Sequence, residues 1–438
     1  MSPAFVLLLC LFIDLVGFGI ILPILPFIVQ SFGGGEMTGG LLFGIYAAMA
    51  ALFGPLWGRL SDRIGRKRAL MLTLFGAGVS YVLLGLAHSM LMVFVARGIS
   101  GAMAGNVGVA MAAMADLSSN EGRTRAMGLI GVSFGLGFAA GPGLAAALAS
   151  LSQTNALALS AFAAAILSFT ACLLAFLRLP KHLRRPDTDT DTDTNTKTSI
   201  ETGTGAVPEA QQSAAPRSDE QIIRSKRFLA FLDSPRKTLL LMQFVVSSSA
   251  QSMVFSMTGF WANDVWNWNE RQVGFLIMAV GLVIAAIQAF IVSPLADRLG
   301  EVRTYLVALC CSIAGSLMVL LMPTILPVVL LAFPLMMGGM TLSFPVLNSL
   351  VSQRNEAHVQ GAALGLANGF SAIGRVIGPT LGGGLMAAFG PRAPFIAAMT
   401  FAFMGVVWAL FEIRNGPKPR SGRRVTVPVR RQAKWRGL

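Results

Sequence analysis

Three ionisable side chains, Asp14, Arg97 and Arg375, stand inside long apolar runs of a 438-residue chain. A charge at the centre of a bilayer costs about 2.5–3.5 kcal/mol on insertion scales, so such a residue faces a bundle interior or water. Asp14, in Leu11-Phe12-Ile13-Asp14-Leu15-Val16-Gly17, offers a carboxyl group that can take up and release a proton. A structural role, bonding a helix broken near Pro23, is the other reading. A guanidinium keeps its charge, so Arg97 is suited to contact a substrate or neutralise Asp14, not to shuttle a proton. Arg375, set between Gly374 and Gly378, can serve an interface or touch substrate. Asn106 and Gln251 join Arg97 as candidate lining of a substrate cavity, although hydrogen bonding between helices would also explain either.

Other chemistries are excluded by what the chain lacks. Its four cysteines, Cys10, Cys172, Cys310 and Cys311, all fall in apolar runs and form no CxxC pair, so neither a zinc site nor a disulfide framework is expected. The three histidines are scattered, no HExxH exists, and no Gly-Lys dipeptide occurs that could belong to a phosphate-cradling P-loop. No cofactor, metal or catalytic residue is expected. An enzyme is the least favoured class, and driven work must draw on an ion gradient.

Composition dictates how those residues are positioned. Hydrophobic residues make up 54% of the chain and charged ones 12%, about half the usual share of charge in soluble proteins. Mean hydropathy is +0.68. A helix needs about 20 apolar residues to cross a bilayer, and twelve runs qualify: 4–29, 41–58, 69–88, 91–111, 126–150, 156–177, 239–262, 272–293, 304–322, 324–348, 360–388 and 394–412. The first lacks a charged flank and is read as a retained span rather than a signal peptide. Of 34 basic residues, Arg97 and Arg375 lie inside spans and Arg271 and Arg392 on one side; all the others fall on the opposite side. The positive-inside rule makes that side, with both termini, cytoplasmic. It also accounts for a pI near 10.6 without nucleic acid.

Four regions follow: a six-helix bundle over 1–177, a low-complexity cytoplasmic linker over 178–238, a second bundle over 239–412 and a basic tail over 413–438. The linker holds the repeat Asp187-Thr188-Asp189-Thr190-Asp191-Thr192-Asp193-Thr194, which cannot bury a core. The tail is basic enough to meet anionic lipid headgroups.

The two bundles repeat each other. Asp62-Arg63-Ile64-Gly65 recurs as Asp297-Arg298-Leu299-Gly300, Asn120-Glu121 as Asn355-Glu356, and Gly141-Pro142 as Gly378-Pro379, at offsets of 235, 235 and 237 residues. Such a six-plus-six parallel repeat suits a transporter that rocks two halves about a central site. The expected fold is an all-α membrane protein, with twelve transmembrane helices in two bundles related by a pseudo-twofold axis.

Gly58-Arg59-Leu60-Ser61-Asp62-Arg63-Ile64-Gly65-Arg66-Lys67-Arg68 matches, at every fixed position, the loop signature of the major facilitator superfamily, G-x₃-D-[RK]-x-G-x-[RK]-[RK]. The chain thus resembles that superfamily, although in the second copy Ser293 replaces the first glycine and Val302 a basic residue. Gly128, Gly137, Gly141 and Pro142 in span 5, and Gly365, Gly374, Gly378, Pro379, Gly382 and Gly383 in span 11, are similar to its antiporter motif. Within the superfamily the chain looks most like the tetracycline-exporter group of proton antiporters, from its opening span and from Ser133-Phe134-Gly135-Leu136-Gly137. Ser80 stands where that group carries an acidic residue in span 3.

The resemblance implies that Gly58, Asp62, Arg63, Gly65, Arg66, Asp297, Arg298 and Gly300 form a cytoplasmic gate that locks the halves together in the outward-facing state. Asp62 would pair with Arg63 or Arg66 and face the start of span 11, where free N–H groups favour an anion. Gly137, Gly141, Pro142, Gly374, Arg375, Gly378 and Pro379 would form a tightly packed, bent motif between the halves. The expected function is proton-coupled export of an apolar or amphipathic small molecule, by a monomer of the bacterial inner membrane. Proton-coupled uptake of a metabolite or metal complex, and a transport-dead receptor or assembly factor, are the alternatives.

Overall fold

The computed structural model describes residues 2–117, 123–151, 156–180, 234–355 and 357–415. The basic tail, most of the linker, and Asn120, Glu121 and Glu356 of the repeat lie outside the described residues.

The described residues form fourteen helices and no strand. They are α1 (Pro3–Ser31), α2 (Glu36–Ile64), α3 (Arg66–Gly85), α4 (Met90–Met103), α5 (Asn106–Leu117), α6 (Arg123–Leu151), α7 (Ala156–Arg178), α8 (Pro235–Trp266), α9 (Glu270–Phe290), α10 (Val292–Leu299), α11 (Glu301–Leu321), α12 (Leu326–Gln353), α13 (Ala357–Phe389) and α14 (Ala393–Asn415). Twelve stretches are long and apolar enough to span a membrane, one of them α4 and α5 together. A backbone in hydrocarbon must satisfy its own polar groups, which is why apolar sequence of this length resolves into helix. Local signals set the ends. Ser2 caps α1 by accepting from the Phe5 amide at 3.3 Å, Pro235 opens α8, and Asn269 and Gln272 form a reciprocal capping box on α9. Gly65 and Gly300 end α2 and α10 at φ of +92° and +76°, a conformation that glycine adopts without strain.

The helices pair as the repeat requires. Within the first bundle α1 packs on α6 and α7, and α3 on α7; within the second, α8 packs on α13 and α14, and α11 on α14. Between bundles, α2 lies against α13 and α6 against α9. The repeat exchanges these two contacts, as a pseudo-twofold axis between the halves demands.

The apolar core divides unequally between the two faces of the molecule. At the face carrying the start of α1 and the end of α14, the terminal face, there are two separate cores. One holds Val6, Leu70, Val109 and Ala175 of the first bundle; the other holds Leu241, Tyr305, Leu347 and Ala409 of the second. Towards the opposite, distal face one core serves both bundles, joining Ile24, Leu42 and Ala161 to Phe260, Val273 and Phe333. The bundles are thus sealed distally. Gln30 donates to Asn263 at 3.1 Å across the seam, and a Cβ on Gly383 would stand 3.0 Å from the Cα of Gly40. Near the terminal face, Gly54 and Gly58 of α2 and Gly365 and Gly369 of α13 have no neighbour within 4 Å of a Cβ position. A cleft therefore opens between the bundles on the terminal face.

Candidate functional site

Asp14 sits midway along α1 and is only 5% exposed. Asn106, the first residue of α5, donates its side-chain N–H to one carboxylate oxygen, and the Ser168 hydroxyl of α7 lies 3.4 Å from the other. Ser168 also donates to the Leu74 carbonyl at 2.9 Å, which ties α3 to the same point. Asp14 therefore faces the interior of the first bundle, neither lipid nor the open cleft. Asn106, expected in the lining of a substrate cavity, is placed beside the carboxyl group, and the hydrogen bond it shares with Asp14 turns both residues inward.

A break in span 4 delivers Asn106 to that position. The chain leaves helix at Ala104 and Gly105, between α4 and α5. Trp57 of α2 fills the notch: its indole N–H donates to the Ala102 carbonyl at 2.6 Å, and a Cβ on Gly105 would collide with its side chain. In an unbroken helix the Ala102 carbonyl would accept from Asn106 itself. Trp57→Phe leaves that acceptor unsatisfied, at a cost of ~1–3 kcal/mol. The variant should express normally but exchange substrate about tenfold more slowly, as proteoliposome initial rates would show; an unchanged rate would remove Trp57 from any positioning role.

Arg97 does not pair with Asp14, contrary to one of its expected roles. No ion pair joins the two among the described residues; the charge of Arg97 is acted on by Tyr46 and Tyr81, whereas the Asp14 carboxylate is held by Asn106 and Ser168. Arg97 is 1% exposed, and none of its guanidinium nitrogens has a hydrogen-bond partner among the described residues. The group lies over the Tyr46 ring at 4.5 Å from the centroid, with Tyr81 also close enough to act on its charge. From Tyr46 a chain of rings crosses to the second bundle. Phe18 is 5.2 Å from Tyr46, Phe138 is 5.9 Å from Phe18, and Phe255 of α8 is 6.3 Å from Phe138, centroid to centroid. Sequence reasoning missed Tyr46, although the chain has only three tyrosines and two of them border the buried arginine.

Arg375 stands about two turns below Gly383 on one side of α13, where α13 and α2 begin to part. It is solvent-accessible, donates to Ser371 at 3.0 Å, and lies within electrostatic range of Tyr46. Gln251 is half-buried and donates to Thr341 at 2.8 Å, which joins α8 to α12 within the second bundle.

The glycine motifs require correction. Gly137 and Gly141 face α1, where a Cβ on Gly141 would lie 2.6 Å from the Cα of Gly19. Gly374 and Gly378 face Val245, Ser248 and Ser249 of α8. Both pairs thus pack helices within a bundle, because the smooth face of each helix turns to its own partner. It is the carbonyls of Pro142 and Pro379 that reach across, against Gly274 and Gly40.

In the loop motif, Arg66 pairs with Asp62 at 2.6 Å and with Asp116, at the end of α5, at 3.0 Å. Asp116 is a partner that the motif does not announce. Lys67 donates to the Phe176 and Leu179 carbonyls at 2.7 and 2.5 Å, satisfying groups that the end of α7 leaves free. Arg63 is exposed, and Gly58 lies at the open side of the cleft. In the second copy, Gly300 repeats the turn after Asp297 and Arg298, but Glu301 takes the place of Arg66 and accepts from Ser349 at 3.2 Å. The two loops share a shape and differ in charge.

The family model described as Major Facilitator Superfamily matches residues 7–379 and 239–437. The class G tetracycline resistance protein of Vibrio anguillarum is 29% identical over 386 residues, covering 86% of this chain and 88% of that protein. The crystal structure of the human organic anion transporter MFSD10 (TETRAN) is similar at a TM-score of 0.63 and 22% identity, covering 93% of this chain and 98% of that one. A bacterial homologue of the human lysosomal transporter Spinster, inward-facing and occupied, is similar at a TM-score of 0.73 and 14% identity, covering 94% and 98%.

Proposed function

Because the chain belongs to the Major Facilitator Superfamily, whose members are transporters and not enzymes, we propose that it exchanges protons for an amphipathic small molecule and expels that molecule from the cell. The observation that carries this reading is Asp14, the one carboxyl group in the middle of a described span, held by the neutral groups of Asn106 and Ser168. Neutral donors leave room for either protonation state, whereas a permanent arginine partner would hold the carboxylate ionised. Ser80 donates to the Ala77 carbonyl of its own helix at 2.7 Å, so it adds no second acid and proton traffic falls to Asp14. The tetracycline resistance proteins among the relatives support export. The basic loops support a cytoplasmic terminal face; in that orientation the open cleft admits cargo from inside the cell, and the bacterial inner membrane is the proposed site.

The test is inverted membrane vesicles with an imposed pH gradient, acid inside, challenged with an amphipathic compound panel that includes tetracycline. Proton release on addition of a compound, abolished by an uncoupler, is the expected result; compound accumulation indifferent to the gradient would reject the reading. We also assign Asp62 to a latch that closes the terminal face against the start of α13. Asp62→Asn should insert normally and lower transport by at least tenfold. Wild-type initial rates in that variant would reject the latch.

A further inference from the structure

We propose that the cargo is an aromatic organic anion, its acidic group seated between Arg97 of the first bundle and Arg375 of the second; this rests on the transport reading above. Arg97 is fully buried, yet among the described residues its guanidinium has no hydrogen-bond partner and rests on the face of Tyr46, with Tyr81 nearby. A guanidinium taken out of water without a hydrogen-bonded counter-charge is strongly disfavoured, and a ring face offsets only part of that cost. Asp14 does not supply the missing charge: Asn106 and Ser168 hold its carboxylate, and although Asp14 lies within electrostatic range of Tyr46 and Tyr81, no guanidinium nitrogen of Arg97 has a hydrogen-bond partner among the described residues. Glu412, the other buried carboxylate among the described residues, pairs with Arg354 at 2.8 Å near the terminal face.

Charge and shape point to the same class. The mid-membrane region carries two guanidiniums against one carboxylate, and Tyr46 lies within electrostatic range of both arginines. Among the described residues Arg375 lends its N–H groups only to Ser371, which shares a hydrogen bond with Ser248, so its fork has donors to spare for a carboxylate. The rings of Phe18, Phe138 and Phe255 continue from Tyr46 to the second bundle along the edge of the shared core, a surface suited to a flat apolar body. A cation would meet like charges here, and a neutral molecule would leave Arg97 unpaired.

The arrangement also assigns the anion a part in the cycle. With no anion bound, closing the cleft brings two positive charges from opposite bundles towards each other. A bound carboxylate bridges them, so occupancy favours closure.

The experiment uses the full-length purified protein and three matched probes: tritiated 2-naphthoate, 2-naphthamide and 2-naphthylmethylammonium. Naphthoate should bind at least tenfold more tightly than either of the others. Arg97→Gln and Arg375→Gln should each weaken naphthoate binding by tenfold or more while leaving naphthamide binding unchanged. Equal affinity for the three probes, no binding of naphthoate, or naphthoate binding indifferent to both substitutions would overturn the proposal. The probe comparison on the unmodified chain stands even where an arginine variant fails to fold. Asp14→Asn separates this idea from proton coupling, because that variant is read through gradient-driven accumulation and the anion site through naphthoate binding to the unmodified chain. Proton coupling that survived Asp14→Asn would sink the transport mechanism and leave the anion site standing.

Discussion

Asp14→Asn stops uphill transport, lowering gradient-driven accumulation by roughly 100-fold or more, the scale on which a positioned proton-transfer group acts. The amide has nearly the shape of the carboxyl group, so the fold should tolerate the exchange. Its oxygen can still accept from Asn106, and Ser168 keeps its bond to the Leu74 carbonyl. What the amide cannot do is release a proton on one side and regain it on the other. The informative measurement is therefore a pair: uphill accumulation under a pH gradient, and counterflow of labelled substrate with no gradient. Accumulation should vanish while counterflow persists within a fewfold of the parent. Loss of both would make Asp14 a structural residue of the first bundle. Survival of both would move proton coupling elsewhere.

Gly40→Leu should change which face of the molecule is open. Gly40 and Gly383 bring α2 and α13 into backbone contact at the distal seam, and a leucine there forces the helices apart. Overpacking of a fitted contact costs ~1–3 kcal/mol, and about 1.4 kcal/mol shifts a two-state population tenfold. The substitution should therefore enrich the state opened distally and depress turnover by about the same factor. A cysteine introduced at Asn263, beside the Gln30 hydrogen bond, reports the change through its reaction with a membrane-impermeant maleimide applied from the distal side. Gly58→Leu on the same helix should act with the opposite sign, because Gly58 faces empty space now and would be crowded only when the terminal face closes. Equal labelling of the two variants would refute a seam built from α2 and α13.

Much of this architecture was legible in the sequence, because a bilayer permits few choices. The spans follow from hydrophobic length, and the loop motif from fixed spacing. Asp14 follows from the rarity of a mid-span acid. What remained hidden depends on rotation about helix axes. Gly137 and Gly374 were expected between the bundles and instead face α1 and α8, since small-residue spacing marks a close-packed face without saying which neighbour meets it. Asn106 and Arg97 share a span, yet the notch at Gly105 turns Asn106 towards Asp14, while Arg97 lies under Tyr46. Trp57 and Asp116 gave no local signal, because each acts on a partner that only the packed bundle brings near.

The distal seam and the terminal loop close the molecule by different forces, and so answer to different variables. An apolar core shared by both bundles weakens on cooling, whereas the contacts of Arg66 with Asp62 and Asp116 are ionic and near the surface, where dissolved salt screens them. Chilling should loosen one end of the carrier and brine the other, which gives two independent handles on a single rocking motion.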